Sequence, residues 1–509
     1  SIREKGDTKE KMTAFSEKLR QYMKKKNITA YDLSKSSNIS VVEMYRICQG
    51  ECLPENREIV EILSNILGMS PFDKKQLLES YEISCNGKMD YREKKYLLEF
   101  FQKLILKNDT EKQERIQYKE IQEPIKDSEE IIYGKQNIDK FIQILLEQEK
   151  KKQETEIYLL CQPEYEYLYQ ILAIYSEELQ LKISHILCLK GGKDGKAKEY
   201  NLQCLLRIQP LLLCNCDYEV FYYYDNLESH FHNLNLFPYL ILIGEHVLQI
   251  SEDYHCAIYD QGEEARRFFM EILEDYRKKA APMFIMKPGV NDIVDTYNTV
   301  IDEKICGVLP VKKQLIFSSM LGSVATPIEV SMEYFDLKGE AGKQARAFLQ
   351  RNKDLEEGML QTTMEYKGFF NESWVWEYME TGYLADPYYK YCKRPPLESR
   401  ILVIETAIRQ IQEGKIMHYM LKPDALAMPN DLYISHYDNI QMTMLYRKNN
   451  QEWCFLLLYE RSLTEAFFHF IDTLDQSSMV YDTEETLRRL KKIISEYKGT
   501  DKMKKDKKL

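Results

Sequence analysis

NISVVEMYRICQGECLP, residues 38–54, decides how the first part of this chain folds. Asn38 stands where the chain can turn, because Asn tolerates the left-handed conformation. Ser40 is a helix-capping side chain, and Glu43 three residues later completes a capping box. From Val41 to Gln49 apolar residues recur at helical spacing. Gly50 can close that helix in the left-handed conformation, and Pro54 prevents immediate continuation. A turn, a capped helix and a stop are therefore written in one short stretch.

The flanks extend the pattern. Phe15, Leu19, Tyr22 and Met23 form a helical stripe. Thr29, with Asp32 three residues on as a weaker capping-box acid, opens a second helix, AYDLSKSS, in which Tyr31 or Leu33 turns inward. Ile59 to Leu67 gives a fourth helix ended by Gly68, and Pro71 to Tyr81 a fifth. Short helices with a three-residue turn between the second and third have helix-turn-helix geometry.

At this point residues Met12 to Tyr81 resemble the Xre/lambda-repressor-like family. The matching residues are Leu19 and Arg20, the Ile28–Thr29 entry to helix two, Leu33, Ile39 and Ser40. Arg46-Ile47 followed by Gly50, then Pro54 and the run Ile62-Leu63 to Leu67-Gly68-Met69, complete the match. Ala30 stands where such families often have Gln, Ser34 and Asn38 where a small Ala-Gly pair often surrounds the turn, and Cys48 where a Glu is common. The resemblance implies that the third helix enters the major groove of double-stranded DNA. Val41, Val42, Glu43 and Arg46 would then face the bases. Arg46 could contact guanine bidentately, and either valine could meet thymine methyl groups. Ser40, Tyr45 and Gln49 would touch phosphates, and Lys24, Lys25 and Lys26 would flank the backbone. Thr29, Ala30 and Tyr31, at the start of helix two, complete the expected interface. Between Met12 and Glu82 stand ten Lys/Arg and ten Asp/Glu, so a protein-interaction module without DNA affinity is the competing reading.

The whole chain has 509 residues, 44% of them hydrophobic and 30% charged, with a net charge of −11. That length predicts two to four domains. A protein that only coats nucleic acid would be basic, so DNA binding, if present, belongs to a small module. No apolar run reaches membrane-spanning length. The first twenty residues are charged and lack an apolar core, so a secretory leader and a membrane location are not expected. Twelve cysteines are scattered, several inside apolar runs such as YLLCQP and EWCFLLL. That is how reduced, buried thiols look, and it fits a cytoplasmic protein.

The expected organisation is α+β and multidomain. An all-α helix-turn-helix domain spans 12–84, a helical connector and linker 85–128, a first α/β lobe 129–330, a second α/β lobe 331–497 and a basic tail 498–509. MDYREKKYLLEFFQKLIL, residues 89–106, has an apolar face at Leu97, Leu98, Phe100, Phe101, Leu104 and Ile105, suited either to dimerisation or to docking on the next domain. Strands are expected at Glu156–Cys161, Ile183–Lys190, Cys204–Cys214 and Val220–Tyr224, with a hairpin from Tyr239 to Tyr259. IYDQGEEARRFFMEIL (258–273) aligns with LYERSLTEAFFHFIDTL (458–474), allowing one inserted residue. A strand followed by a Phe-rich helix occurs at both places, so an internal duplication into two lobes is expected.

A duplicated α/β domain of this style is similar, by loose analogy, to the phospholipase-D-like family. That chemistry needs His-x-Lys with an Asp further on, and none of the eight histidines is followed by Lys at the second position. GGKDGK (191–196) falls one residue short of a phosphate loop, and Ala197 replaces the required Ser or Thr. Cys214 and Cys216 with His230 and His232 do not have a standard zinc spacing. His255 and Cys256 are strand neighbours pointing to opposite faces. No enzyme activity, metal or cofactor is therefore expected. The expected function is a homodimeric, sequence-specific DNA-binding transcriptional regulator. Its C-terminal region would sense a small-molecule or peptide effector or mediate dimerisation. The alternatives are an enzyme or defence effector recruited by its helix-turn-helix, or an interaction scaffold.

Overall fold

The computed structural model describes residues 13–86, 88–105, 130–192, 195–225, 236–289, 312–318, 321, 325–330, 365–382, 393–423, 425–426, 428–429, 431–438 and 441–498, with scattered positions between 340 and 354. The chain forms two compact units, Ser1–Lys95 and Tyr96–Leu509.

The first unit is helical: α1 (Ala14–Lys26), α2 (Ala30–Ser37), α3 (Val41–Gln49), α4 (Arg57–Ile66) and α5 (Pro71–Asn86). Phe15, Leu19, Leu33, Met44, Ile47, Val60, Leu63 and Leu77 are fully buried in one core. Phe15 meets Tyr81 edge to face at 5.6 Å. Tyr22 donates to Asp73 at 2.9 Å, tying α1 to α5. Helix α6 (Lys88–Ile105) runs on from this unit into the second. Its Leu97, Phe100, Phe101 and Leu104 are buried in the C-terminal core. Phe100 packs on Phe467 at 5.4 Å and Phe101 on Phe317 at 5.2 Å. The apolar face of the connector is thus a docking face. The polar stretch expected to be the linker lies outside the described residues.

Among the described residues the second unit is built on one mixed sheet of fourteen strands. In chain order these are β1 (Glu130–Tyr133), β2 (Thr155–Leu160), β3 (Leu181–Leu189), β4 (Asp217–Tyr224), β5 (Tyr239–Ile243), β6 (His246–Ile250), β7 (Cys256–Gln261), β8 (Ala281–Pro288), β9 (Lys313–Ser318), β10 (Glu365–Asn371), β11 (Met417–Leu421), β12 (Tyr433–Tyr437), β13 (Gln441–Arg447) and β14 (Trp453–Leu458). The helices among them are α7 (Lys135–Glu149), α8 (Glu166–Tyr175), α9 (Gly195–Leu213), α10 (Glu263–Lys279), α11 (Glu372–Thr381), α12 (Leu397–Gln412), α13 (Arg461–Asp472) and α14 (Thr483–Lys498).

The strand order repeats. It reads β1-β7-β6-β5-β2-β3-β4 and then β8-β14-β13-β12-β9-β10-β11. Each half has the same sense of pairing: the fifth, sixth and seventh strands are parallel, and every other neighbour is antiparallel. The segments aligned in sequence fall at equivalent places, β7 with α10 and β14 with α13. The repeat changes over at Ala281, ahead of the sequence boundary at 330. The two halves share one sheet, joined where β8 pairs with β4. Residues 290–311, which separate β8 from β9, lie outside the described residues.

Of residues 204–214, read as a strand, all but Cys214 belong to α9, a helix buried along most of its length and containing Pro210. An apolar run such as LLRIQPLLL cannot be assigned to strand or helix by periodicity when all its sides are covered.

Burial on both faces of the sheet also encloses histidines. His185 (β3) bonds the Tyr218 hydroxyl at 2.8 Å and the Cys161 carbonyl at 2.9 Å. Among the described residues, neither ring nitrogen of His418 (β11) or His436 (β12) has a hydrogen-bond partner. Burial pushes His185 down to about 4 and His418 and His436 down to about 3, so all three are neutral at pH 7. A histidine depressed in the folded state binds a proton first in the unfolded chain. Its stabilisation is complete above the unfolded value of 6.5 and is lost as pH falls toward 3 to 4. Thermal unfolding followed by circular dichroism should show a melting temperature that drops through this window. His436→Leu should flatten the drop, because one such histidine is worth on the order of a few kcal/mol at the acid end.

Candidate nucleic-acid interface

Local chemistry positions α2 and α3. Thr29 caps α2 and forms a reciprocal box with Asp32, whose carboxylate accepts from the Thr29 amide at 2.9 Å and the Thr29 hydroxyl at 2.6 Å. These bonds hold the Asp32 carboxyl below its ordinary value. Asn38 ends α2 in the left-handed conformation, φ 62°. The Ser34 hydroxyl, itself buried, donates to the Ile39 carbonyl at 2.7 Å and clamps the turn. Ser34 and Asn38 thus do the work of the small pair they replace. Ser40 caps α3 by accepting from the Glu43 amide at 3.2 Å. The return bond expected from Glu43 is absent among the described contacts, so the full box stands at Thr29 and only half of one at Ser40. Gly50 closes α3 at φ 83°.

These constraints fix which side of α3 faces inward. Met44, Ile47 and Cys48 are buried, and the Cys48 sulfur lies 3.6 Å from that of Met23. The cysteine in the opening stretch is therefore a core residue, and burial pushes its thiol up. The opposite side presents Val42, Tyr45, Arg46 and Gln49, spaced as neighbours along one helix face. Val42 is 71% exposed, Tyr45 47% and Val41 40%. Ser40 and Glu43 are exposed beside them, as are Thr29 and Tyr31 at the start of α2. Lys24, Lys25 and Lys26 are exposed in the last turn of α1, where cations complement the helix dipole, and Lys26 donates to the Gly68 carbonyl at 3.3 Å. Ala30 is the exception among the expected interface residues. Its side chain is only 7% exposed and packs in the core, so it can offer DNA no side-chain contact.

Glu51 was not singled out in the sequence. Its carboxylate lies 3.5 Å from Arg46 Nε. The contact depends on the chain reversing at Gly50, where the Glu51 amide bonds the Arg46 carbonyl at 3.0 Å. No helical i,i+4 spacing announces it. A pair this exposed is worth up to about 1 kcal/mol. Pairing through Nε leaves the two terminal nitrogens of the guanidinium as the fork that bidentate recognition requires.

The C-terminal unit offers no comparable face among the described residues. Its densest charge cluster is self-paired: Lys367 reaches Asp475 at 2.9 Å, and Lys313 reaches Asp472 at 2.9 Å and Glu365 at 3.1 Å. Burial lowers the Lys367 pKa, but hydrogen bonds to Asp475 and Asp472 outweigh it and raise the value overall. His418 and His436 lie on opposite faces of the sheet, because their cross-strand partners Gly368 and Leu315 belong to alternating positions. Cys214 and Cys216 have sulfurs 3.3 Å apart, while His230 and His232 lie outside the described residues. Among the described residues no group of three or more His, Cys, Asp or Glu could hold a metal ion, and no helix is long and apolar enough to cross a membrane. A groove of about 560 Å³ beside β7 and α10 is lined by Asp260, Glu263, Glu264, Phe268 and Phe269, among others.

Five capped helices around one core, with a polar-edged third helix facing outward, define a helix-turn-helix domain. Residues 18–73 match the family model of the Cro/C1-type HTH DNA-binding domain, the lambda-repressor-like kind that the sequence resembles. No curated protein matches the chain. Among solved structures, phosphatidylserine synthase of Haemophilus influenzae Rd KW20 is 13% identical, with 74% of this chain and 94% of that chain covered and a TM-score of 0.25. TrmBL2, an archaeal chromatin protein, is 12% identical over 54% of this chain and 96% of its own, with a TM-score of 0.21. Polyphosphate kinase from Porphyromonas gingivalis is 10% identical over 74% and 57%, with a TM-score of 0.22. Likeness at that level carries no argument about function.

The cap at Ser40 is a direct test of how α3 is held. Ser40→Ala should cost about 1 kcal/mol. Hydrogen exchange should quicken at the first α3 amides, Glu43 above all, while α4 and α5 stay protected.

Proposed function

We propose that this protein is a cytoplasmic, sequence-specific DNA-binding regulator of transcription that acts as a homodimer. The observation that carries the reading is the outward side of α3, where two valines, a tyrosine and the Arg46 guanidinium stand in solvent above a core that takes Met44, Ile47 and Cys48. Exposed valines cost solvation in a free domain and gain contacts against thymine methyl groups. Arg46, with Glu51 on its Nε, is the candidate guanine reader. Ser40, Tyr45, Gln49, Thr29, Tyr31 and Lys24 to Lys26 supply phosphate contacts, which position without specifying. Ala30 contributes through its backbone alone. A two-fold dimer would set two recognition helices about 34 Å apart, one turn of DNA.

The C-terminal unit acts in this proposal by association and by effector binding, without catalysis. Support comes from the burial of His185, His418 and His436 and from the pairing of Lys313 with Asp472 and of Lys367 with Asp475. An effector would act only through a difference in affinity between two arrangements of the dimer.

Selection from a random duplex pool by the full chain, followed by a salt titration of the winning sequence, tests the DNA reading. Arg46→Ala should weaken specific binding by about 1–3 kcal/mol and relax preference at one base pair. Lys25→Ala should weaken all sequences alike and lower the salt slope by about one. If no sequence is enriched at low salt, with or without cell extract as a source of effector, the regulator reading fails and the neutral module becomes a protein-interaction piece.

A further inference from the structure

The repeat in the sheet shows what each of its edges accepts. In the first half, the chain after α10 returns as β8 and lies antiparallel on the outer side of β4, with Val220 opposite Phe284. In the second half, the chain after α13 returns at Met479–Tyr481 and lies on the outer side of β11. Leu421 bridges Val480 in antiparallel sense, the Tyr481 amide donates to the Met420 carbonyl at 2.9 Å, and the Lys422 amide donates to the Met479 carbonyl at 2.9 Å. Both equivalent edges are therefore filled by the chain itself. The strand β8 is antiparallel to a neighbour on each side, β14 and β4. Its equivalent, β1, has β7 on one side and, among the described residues, nothing on the other.

The phase of β1 is fixed by one bond. The Gly134 amide donates to the His255 carbonyl at 2.7 Å, and Tyr133 stands opposite Cys256. In an antiparallel ladder this makes Tyr133 and Ile131 the residues whose main-chain groups point away from β7. The Tyr133 carbonyl accepts from Asn137 at 2.8 Å. The side chains of Ile131 and Tyr133 are 56% and 65% exposed, on the face shared with Ile258 and Cys256. Phe268 of α10, which packs over β6 and β7, is 59% exposed. An open strand edge flanked by solvated apolar side chains is what folded chains ordinarily avoid, because it templates pairing.

We propose that β1 is the strand through which two copies of this chain associate, pairing antiparallel about a two-fold axis so that the sheet runs on from one copy to the other. A two-fold axis normal to the sheet makes the two β1 strands antiparallel, the sense in which β8 takes its outer neighbour. Ile131 then stands opposite the partner's Tyr133, and both apolar side chains leave water on one continuous face. A second copy is favoured over a head-to-tail chain because the β11 edge of any copy is already covered by Val480. The contact is the same patch on both copies, so it closes at two and does not propagate. This deepens the homodimer half of the proposed function and does not depend on DNA.

Sedimentation equilibrium of the full chain without DNA, over a wide concentration range, tests it with two variants. Ile131→Pro removes an outward amide while keeping the bonds of β1 to β7, a placement that edge strands tolerate. Ile131→Lys keeps the amide and sets a charge at the edge. The wild type should be dimeric, and each variant should raise the dissociation constant by about tenfold or more with unchanged circular dichroism. A dimer that persists in both variants overturns the inference, because the contact then lies elsewhere. A wild type that stays monomeric also overturns it, and hydrogen-exchange protection at Ile131 and Tyr133 in that monomer would identify residues 106–129 or another part of the same chain as the occupant. A duplex-binding assay on the same samples separates the outcomes: loss of DNA binding in an intact dimer counts against the regulator and not against β1.

Discussion

The pairing of β8 with β4 on one side and β14 on the other is the constraint on which the C-terminal unit depends. Without it the two seven-stranded halves would be separate sheets, each with its own exposed edges. With it, one sheet carries helices on both faces, and strands such as β5 and β14 are buried along their whole length. Such a sheet leaves little room for solvated chemistry in its interior. The histidines of β3, β11 and β12 are neutral for that reason, and the lysines at the margin of β9 and β10 are matched to the carboxylates of Asp472 and Asp475.

The N-terminal unit solves a different problem with fewer residues. A short helix cannot hold itself, so α3 depends on Ser40 at its start, Gly50 at its end, and Met44, Ile47 and Cys48 packed inward. Those five demands leave Val42, Tyr45, Arg46 and Gln49 unclaimed by the fold. A surface free of structural duty can be set by what it binds. The balance of charges in the unit means that affinity for a polyanion must come from where the cations stand, at the end of α1 and on α3, and not from their number.

Much of this could be read from the sequence because it rests on local rules. Thr29, Asn38, Ser40, Gly50 and Gly68 each mark a helix end by their own conformational preference, so the first five helices were legible one residue at a time. The alternation in β6 and β7 and the Phe-rich helices α10 and α13 were legible by period, and the likeness of the two strand–helix segments suggested a duplication. Where local rules are silent, the reading failed. Residues 204–213 belong to a helix covered by other elements along most of its surface, so no one-sided apolar period marks it. Ala30 lies in the core because α2 turns its first side chain inward, which the capping motif does not specify. Glu51 reaches Arg46 only after the chain reverses at Gly50.

The sequence by itself determined where the helices of the N-terminal unit begin and end, which face of α3 is apolar, and that two distant strand–helix segments are alike. These follow from interactions between residues a few positions apart. The tertiary structure alone decided that both halves share one sheet, that β4 and β11 are sealed by chain returning from afar, and that β1 has no outer neighbour among the described residues. Strand order and edge coverage depend on pairings between residues far apart in sequence, and no short-range pattern encodes which of several compatible edges a strand will take.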